Sequence, residues 1–283
     1  MTPPSEPFVV VKVGGSLVSD KQKLSNLDLD VVTKYAEQLA RLARDHRGRL
    51  GLVAGGGAIG HGAVRGIPDD SFASLPLTKA TYDVKWAWAT ALNNSGAPAM
   101  PVQLAGTAVL DRQGVLVGGW HAIKRMLDCG VIPVLSGDCV LRQDGSLEIY
   151  GSDRVPEVFI NAVGNDVRVI TLTDVPGVYR DGADSSILLH HIDSNSTDFS
   201  SIAEWNHDPW DTSGAMYGKV IALARLAQLG AECVITRGDP DLRSLGHFYR
   251  PLAEWPEDIG RTVIGPATPL GKKSNSQTPQ GEL

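Results

Sequence analysis

Three lysines stand beside small residues where the chain turns out of or into regular structure. Lys12 is the last residue but one of the apolar run FVVVKV, which Gly14, Gly15 and Ser16 follow. Lys21 comes nine residues later, in the polar stretch SDKQK. Lys219 ends the stretch DTSGAMYGK. Glycine admits close backbone approach and lysine supplies positive charge, so this pairing suits a phosphate. The strings are neither GxxxxGK[ST] nor GxGxxG. Locally they also fit an ordinary strand-to-loop turn with a snorkelling lysine, and a lysine in a polar loop is commonly just a solvated cation.

The stretch VAGGGAIGHG places His61 among five glycines directly after an apolar run. Gly56 and Gly57 suit a backbone anion nest, or a tight turn against a neighbouring strand. His61 either fills a core position or donates to an anionic oxygen, most strongly when protonated. No second His, Cys or carboxylate sits at ligand spacing, so no metal site is expected here. Farther along, Gly151-Ser152-Asp153-Arg154 opens an expected helix. Asp153 is then an N-cap, or a carboxylate that holds active-site lysines, while Arg154 pairs with a nearby carboxylate. Thr173-Asp174-Val175-Pro176-Gly177-Val178-Tyr179 turns sharply after a strand. The segment from Asp211 through Gly214 and Met216 to Lys219 opens a helix whose first N–H groups suit polyphosphate.

The elements that must carry these residues alternate between strand and helix. Strands are expected at Phe8–Val13, Leu50–Ala54, Ala99–Leu104, Val115–Val117, Val131–Leu135, Arg168–Leu172 and Glu232–Thr236, with Leu147–Tyr150 in a hairpin. Helices are expected over Asp28–Asp45, Leu75–Asn94, Ala122–Asp128, Asp153–Ala162 and Ala215–Gln228, with Gly130 and Gly230 as stops. This order predicts an α/β fold, an open αβα sandwich around a mainly parallel sheet. Ligands bind at the carboxyl ends of such strands, where the turns after Val13, Ala54 and Leu135 lie. Residues 181–201 read as a mobile loop or β-excursion and residues 266–283 as a disordered tail.

The chain has 283 residues, 42% hydrophobic and 20% charged, within reach of one large α/β domain. A net charge of −6 gives no basic field for nucleic acid. The three cysteines are isolated and read as small apolar residues on buried strands. The N-terminus MTPPSEPF lacks a signal pattern and no apolar run approaches a membrane span, so a cytoplasmic protein is expected.

Taken in order, KVGGS, GGG, SDR, LTDVPGVY and TSGAMYGK resemble the amino acid kinase superfamily over about residues 8–265. That resemblance implies a kinase using ATP and Mg²⁺, with one domain over residues 1–265. The N-terminal part would hold the acceptor and the C-terminal part the nucleotide. His61 in GGGAIGHG resembles the branch with phosphate or phosphonate acceptors, the fosfomycin kinases and isopentenyl phosphate kinases. SDRVPEV, TLTDVPGV, WDTSGAM and AECVITRGDP are similar to the fosfomycin kinase pattern, with Gly151 where that pattern has a second serine. The expected acceptor is thus a small phosphonate, fosfomycin first, in antibiotic self-protection. Isopentenyl phosphate is the alternative, and a non-catalytic nucleotide or anion sensor is a third reading.

The resemblance makes Lys12, Lys21, His61, Asp153 and Lys219 catalytic. It assigns Gly56, Gly57, His61, Gly151 and Ser152 to the acceptor. Lys12, Gly14, Gly15, Ser16, Thr173, Asp174, Gly177, Val178, Tyr179, Trp210, Gly214, Met216 and Lys219 fall to the nucleotide. It implies a homodimer with no nucleic-acid or membrane partner. An isopentenyl acceptor would call for an apolar pocket, with Tyr82, Trp86 and Trp88 as its candidates.

Overall fold

The computed structural model describes residues 6–19, 27–64, 75–164, 166–181, 187–203, 205, 215–239, 241 and 243–267. In chain order they form β1 (Phe8–Val13), α1 (Leu29–Asp45), β2 (Leu50–Ala54), α2 (Gly57–Val64), α3 (Leu75–Asn94), β3 (Ala99–Pro101), β4 (Ala108–Leu110), β5 (Leu116–Gly118), α4 (Trp120–Asp128) and β6 (Ile132–Ser136). There follow β7 (Asp138–Arg142), β8 (Leu147–Tyr150), α5 (Pro156–Val163), β9 (Val167–Thr173), β10 (His191–Asp193), α6 (Ala215–Gln228), β11 (Glu232–Arg237) and β12 (Arg261–Gly265).

Eight strands make one sheet in the order β10-β12-β11-β9-β1-β2-β6-β3. Every neighbouring pair is parallel except β11 and β12. The central strands β1, β2, β6 and β9 are buried along their whole length, because helices cover both faces. Alternate residues of β1 enter different cores. Val9, Val11 and Val13 pack with α1 and α3. Phe8 and Val10 pack with α4, α5 and α6 on the opposite face. The result is the expected α/β sandwich. A second sheet, β5-β4-β7-β8, flanks the carboxyl end of β6.

Local chemistry sets the element boundaries. The Asp28 carboxylate accepts from Val31 N at 3.0 Å and caps α1. Gly130 (φ 75°) and Gly230 (φ 95°) turn the chain after α4 and α6. Three expectations are corrected. Residues 57–64, read as a glycine-rich turn, form the helix α2. The strand expected over Ala99–Leu104 stops at Pro101, and a 3₁₀ turn occupies Leu104–Gly106. The helix expected from Asp153 begins at Pro156, which fits a first helical position because it has no N–H to leave unsatisfied. Cys139 and Cys233 are buried on strands, but Cys129 lies exposed after α4. Among the described residues no helix is long and apolar enough to cross a membrane.

Candidate active site

The strand ends lie in register. Val13 pairs with Ala54 and Leu172, and Ala54 pairs with Ser136. The turns after β1, β2, β6 and β9 therefore open on one side of the sheet, where parallel sheets take ligands.

Lys12 sits one residue before the end of β1 and is 3% exposed. Its Nζ lies 2.5 Å from Asp153 Oδ1. Lys219, in the first half of α6, places Nζ 3.9 Å from Asp153 Oδ2. Asp153 stands in the turn between β8 and α5, so one carboxylate holds a strand lysine and a helix lysine with different oxygens. Two ammonium groups thus meet at the strand ends, a setting that suits an anion. Arg154 turns away from this centre. It donates to Glu148 Oε1 at 3.0 Å and to the Gly114 carbonyl at 2.9 Å, and lies over the Tyr150 ring. It ties the small sheet to the Asp153 turn.

The glycines have two duties. A Cβ on Gly15 would lie 2.3 Å from Gly57 Cα, and one on Gly55 would lie 2.5 Å from Gly15 N, so the turns after β1 and β2 interlock backbone on backbone. Gly57, at φ +53°, faces Ser19, whose hydroxyl donates to the Gly15 carbonyl at 2.8 Å. The Gly14 and Gly55 N–H groups are spent on the carbonyls of Leu172 and Val13. The first turn of α2, whose N–H groups have no intrahelical acceptor, is a setting that suits an anion. His61 stands on that helix four residues after Gly57. Ser16 is exposed in the turn after β1, and Ser152 is half-buried.

Toward β9, Asp174 is exposed and Thr173 donates to the Val175 carbonyl. Gly177 packs against Thr262 of β12, whose hydroxyl accepts from Val178 N at 2.8 Å, so these two residues anchor the turn to β12. Tyr179 bridges to Leu188, and Met216, in the first turn of α6, packs on the core. Gly151 is exposed, and a Cβ there would meet nothing within 4 Å. Lys21, Trp210 and Gly214 lie outside the described residues.

The aromatic residues of α3 differ in burial. Trp88 is buried against Tyr35, while Tyr82 and Trp86 stack on each other at the surface. Sequence reading also missed a buried polar group around Asp138. This residue accepts from Thr78, Gln103, Ala105 N and Cys139 N, with the fully buried Lys85 beside it. Burial pushes the Lys85 ammonium down to about 8, against the opposing pull of Asp138. The available signal was the placing of Thr78, Thr81 and Lys85 within the apolar stripe of Leu77, Val84 and Trp88.

Comparison with known proteins bears on the family and the fold. A family model described as "Amino acid kinase family" matches residues 7–237. An isopentenyl phosphate kinase of Haloferax volcanii is 30% identical over 231 residues, covering 79% of this chain and 89% of that protein. A glutamate 5-kinase of Methylobacillus flagellatus is 27% identical over 244 residues, but the chain spans only 63% of its length. The solved isopentenyl phosphate kinase of T. acidophilum, in its product complex, superposes with a TM-score of 0.68. That match covers 91% of this chain and 99% of the other at 19% identity, which speaks to the fold.

Proposed function

The chain belongs to the amino acid kinase family of phosphotransferases, and we propose that it passes the γ-phosphoryl group of ATP to the terminal phosphate of a small molecule, isopentenyl phosphate first. The observation that carries this reading is Asp153 held between Lys12 and Lys219 at the strand ends. An acceptor phosphate is already ionised near neutral pH, so its oxygen attacks without a general base. The reaction instead requires two anions to meet in line while charge moves toward the leaving β-phosphate oxygen. Positioning and electrostatic stabilisation supply most of that catalysis.

Lys12 and Lys219 neutralise the transferring and bridging oxygens, and Asp153 fixes their separation. The first turn of α2 receives the acceptor anion, with His61 choosing a phosphate-like group. Lys21 serves the acceptor or the departing phosphoryl group. The N-terminal strands hold the acceptor, and the β9 turn and α6 hold the nucleotide. Mg²⁺ carried on the nucleotide phosphates adds further charge neutralisation, as is usual for that ion.

Isopentenyl phosphate stands ahead of other acceptors because the Haloferax volcanii relative covers most of both chains, whereas the glutamate 5-kinase match leaves over a third of that enzyme uncovered. A phosphonate acceptor rests on the motif strings alone, SDRVPEV and AECVITRGDP among them. Phosphorus NMR with ATP and Mg²⁺, run separately with isopentenyl phosphate and with fosfomycin, decides between them. A new coupled P–O–P pair from isopentenyl phosphate is the expected result. Such a pair from fosfomycin alone moves the acceptor to a phosphonate, and none in either tube overturns the reading.

A further inference from the structure

Asp138 is fully buried, yet four donors converge on its carboxylate. Thr78 Oγ1 (2.9 Å) and Cys139 N (2.9 Å) reach Oδ1, while Gln103 Nε2 (2.6 Å) and Ala105 N (2.9 Å) reach Oδ2. Only a carboxylate accepts at both oxygens in this way. It ties α3 and the turn after β3 to the first residue of β7. Lys85, one helical face along from Thr78 and Thr81, is equally buried, but among the described residues its Nζ has no hydrogen-bond partner. An orphaned buried ammonium costs free energy, and Asp138 already has four hydrogen bonds without it. Lys85 therefore does something other than complete the hydrogen bonding of Asp138. It places a cationic side chain beside that carboxylate.

The corner that Asp138 secures touches the active-site turn directly. A Cβ on the preceding Gly137 would lie 3.0 Å from Ser152 N and 3.0 Å from the Tyr150 carbonyl. Asp138 also pairs with Tyr150 across β7 and β8. The backbone just before Asp153 thus rests on the corner whose position Asp138 sets. The stripe reaches the glycine turn as well, since a Cβ on Gly56 would lie 3.9 Å from Thr81 Cγ2.

We infer that Lys85 and Asp138 are a buried pair of positioning residues. Through Gly137 they hold the Gly151–Ser152–Asp153 turn where Asp153 can set the spacing of Lys12 and Lys219. The inference rests on the reading of Asp153 as organiser of the two lysines, and it adds residues that touch neither substrate.

Lys85→Met tests it, because the apolar side chain keeps the length and removes the charge. Amide hydrogen exchange over peptides containing Gly151–Arg154 should rise several-fold, while exchange in β1 and β9 stays near that of wild type. This readout needs no acceptor, so it stands even if the wild-type enzyme transfers to neither compound in the NMR experiment. With a turned-over acceptor, kcat should fall about tenfold or more while KM for ATP stays within about twofold, the pattern of a misplaced reacting group. Unchanged exchange at the Asp153 turn, or unchanged kcat with a working acceptor, overturns the inference. A uniform rise in exchange across the chain overturns it too, by assigning Lys85 to general stability. If Lys85→Met does not fold, Thr78→Val loosens the same corner from α3 and is held to the same outcomes.

Discussion

Gly15 and Gly57 meet backbone to backbone: a Cβ on Gly15 would lie 2.3 Å from both Cα and N of Gly57. The turns after β1 and β2 are therefore one interlocked unit, and α2 starts from that contact. Gly15→Ala has no room unless the turns separate. The expected loss is about 1–3 kcal/mol of stability by overpacking, measured by urea unfolding. Activity should fall further than stability, because the separation also moves Lys12 away from α2. A stable, fully active Gly15→Ala enzyme would show that the turns part without consequence.

Asp153→Asn keeps the shape of the bridge between Lys12 and Lys219 but removes its charge. The kinase reading expects kcat to fall about 10²–10³-fold, the usual cost of losing one preorganised electrostatic group. The acceptor KM should change far less. Steady-state kinetics with the acceptor varied at saturating ATP provides the measurement. A change confined to KM would make Asp153 a binding group instead.

His61→Ala separates acceptor recognition from nucleotide binding. With His61 serving the acceptor anion, kcat/KM for the acceptor should drop by about tenfold or more while ATP affinity holds, a charge-assisted contact being worth about 1.5–3 kcal/mol. Calorimetric titration with a non-hydrolysable ATP analogue checks the second half. Equal loss of nucleotide affinity would point to a folding role.

Much of the sheet could be read from sequence because its strands are buried on both faces and spell it plainly, as FVVVKV and VRVITLT do. The amphipathic α1 was legible from the helical spacing of its apolar residues. β4 and β12 escaped because AVL and RTVIG are too short to show a period, and pairing across the sheet sustains them. The helix α2 escaped because its glycines oppose helix formation in isolation, and docking against the β1 turn outweighs that preference. In the site, Lys12 and Asp153 stand 141 positions apart, so only resemblance could join them before the fold did. Lys85 was invisible because a lysine on a helix ordinarily marks a solvated face.

Gly151 stands where the fosfomycin kinase pattern has serine, and its surroundings would admit one. A Cβ there meets nothing within 4 Å, and Gly151 is not among the residues with positive φ. Gly151→Ser should therefore leave stability within about 0.5 kcal/mol, as for surface changes free of strain. The added hydroxyl would lie two residues before Asp153, on the acceptor side of the proposed site. Its expected effect is a higher kcat/KM for a phosphonate relative to isopentenyl phosphate. Equal kcat/KM ratios before and after would remove Gly151 from acceptor choice.

Lys85 should leave a signature in the pH dependence of stability. Burial lowers its ammonium from 10.5 to about 8 in the folded chain. Between those values the unfolded chain holds a proton that the folded chain has released. Unfolding free energy therefore rises with pH across that window. Below about pH 8 both states are protonated, and the full cost of burying the ammonium is present. The gain on passing from below 8 to above 10.5 is on the order of 3 kcal/mol. Other lysines, tyrosines and cysteines titrate in the same range, so the quantity to follow is wild type minus Lys85→Met, in urea unfolding at a series of pH values. That difference should climb steadily through the window and level off above it. A flat difference would mean that Lys85 keeps its ordinary affinity for the proton, with acceptors for its ammonium supplied inside the fold.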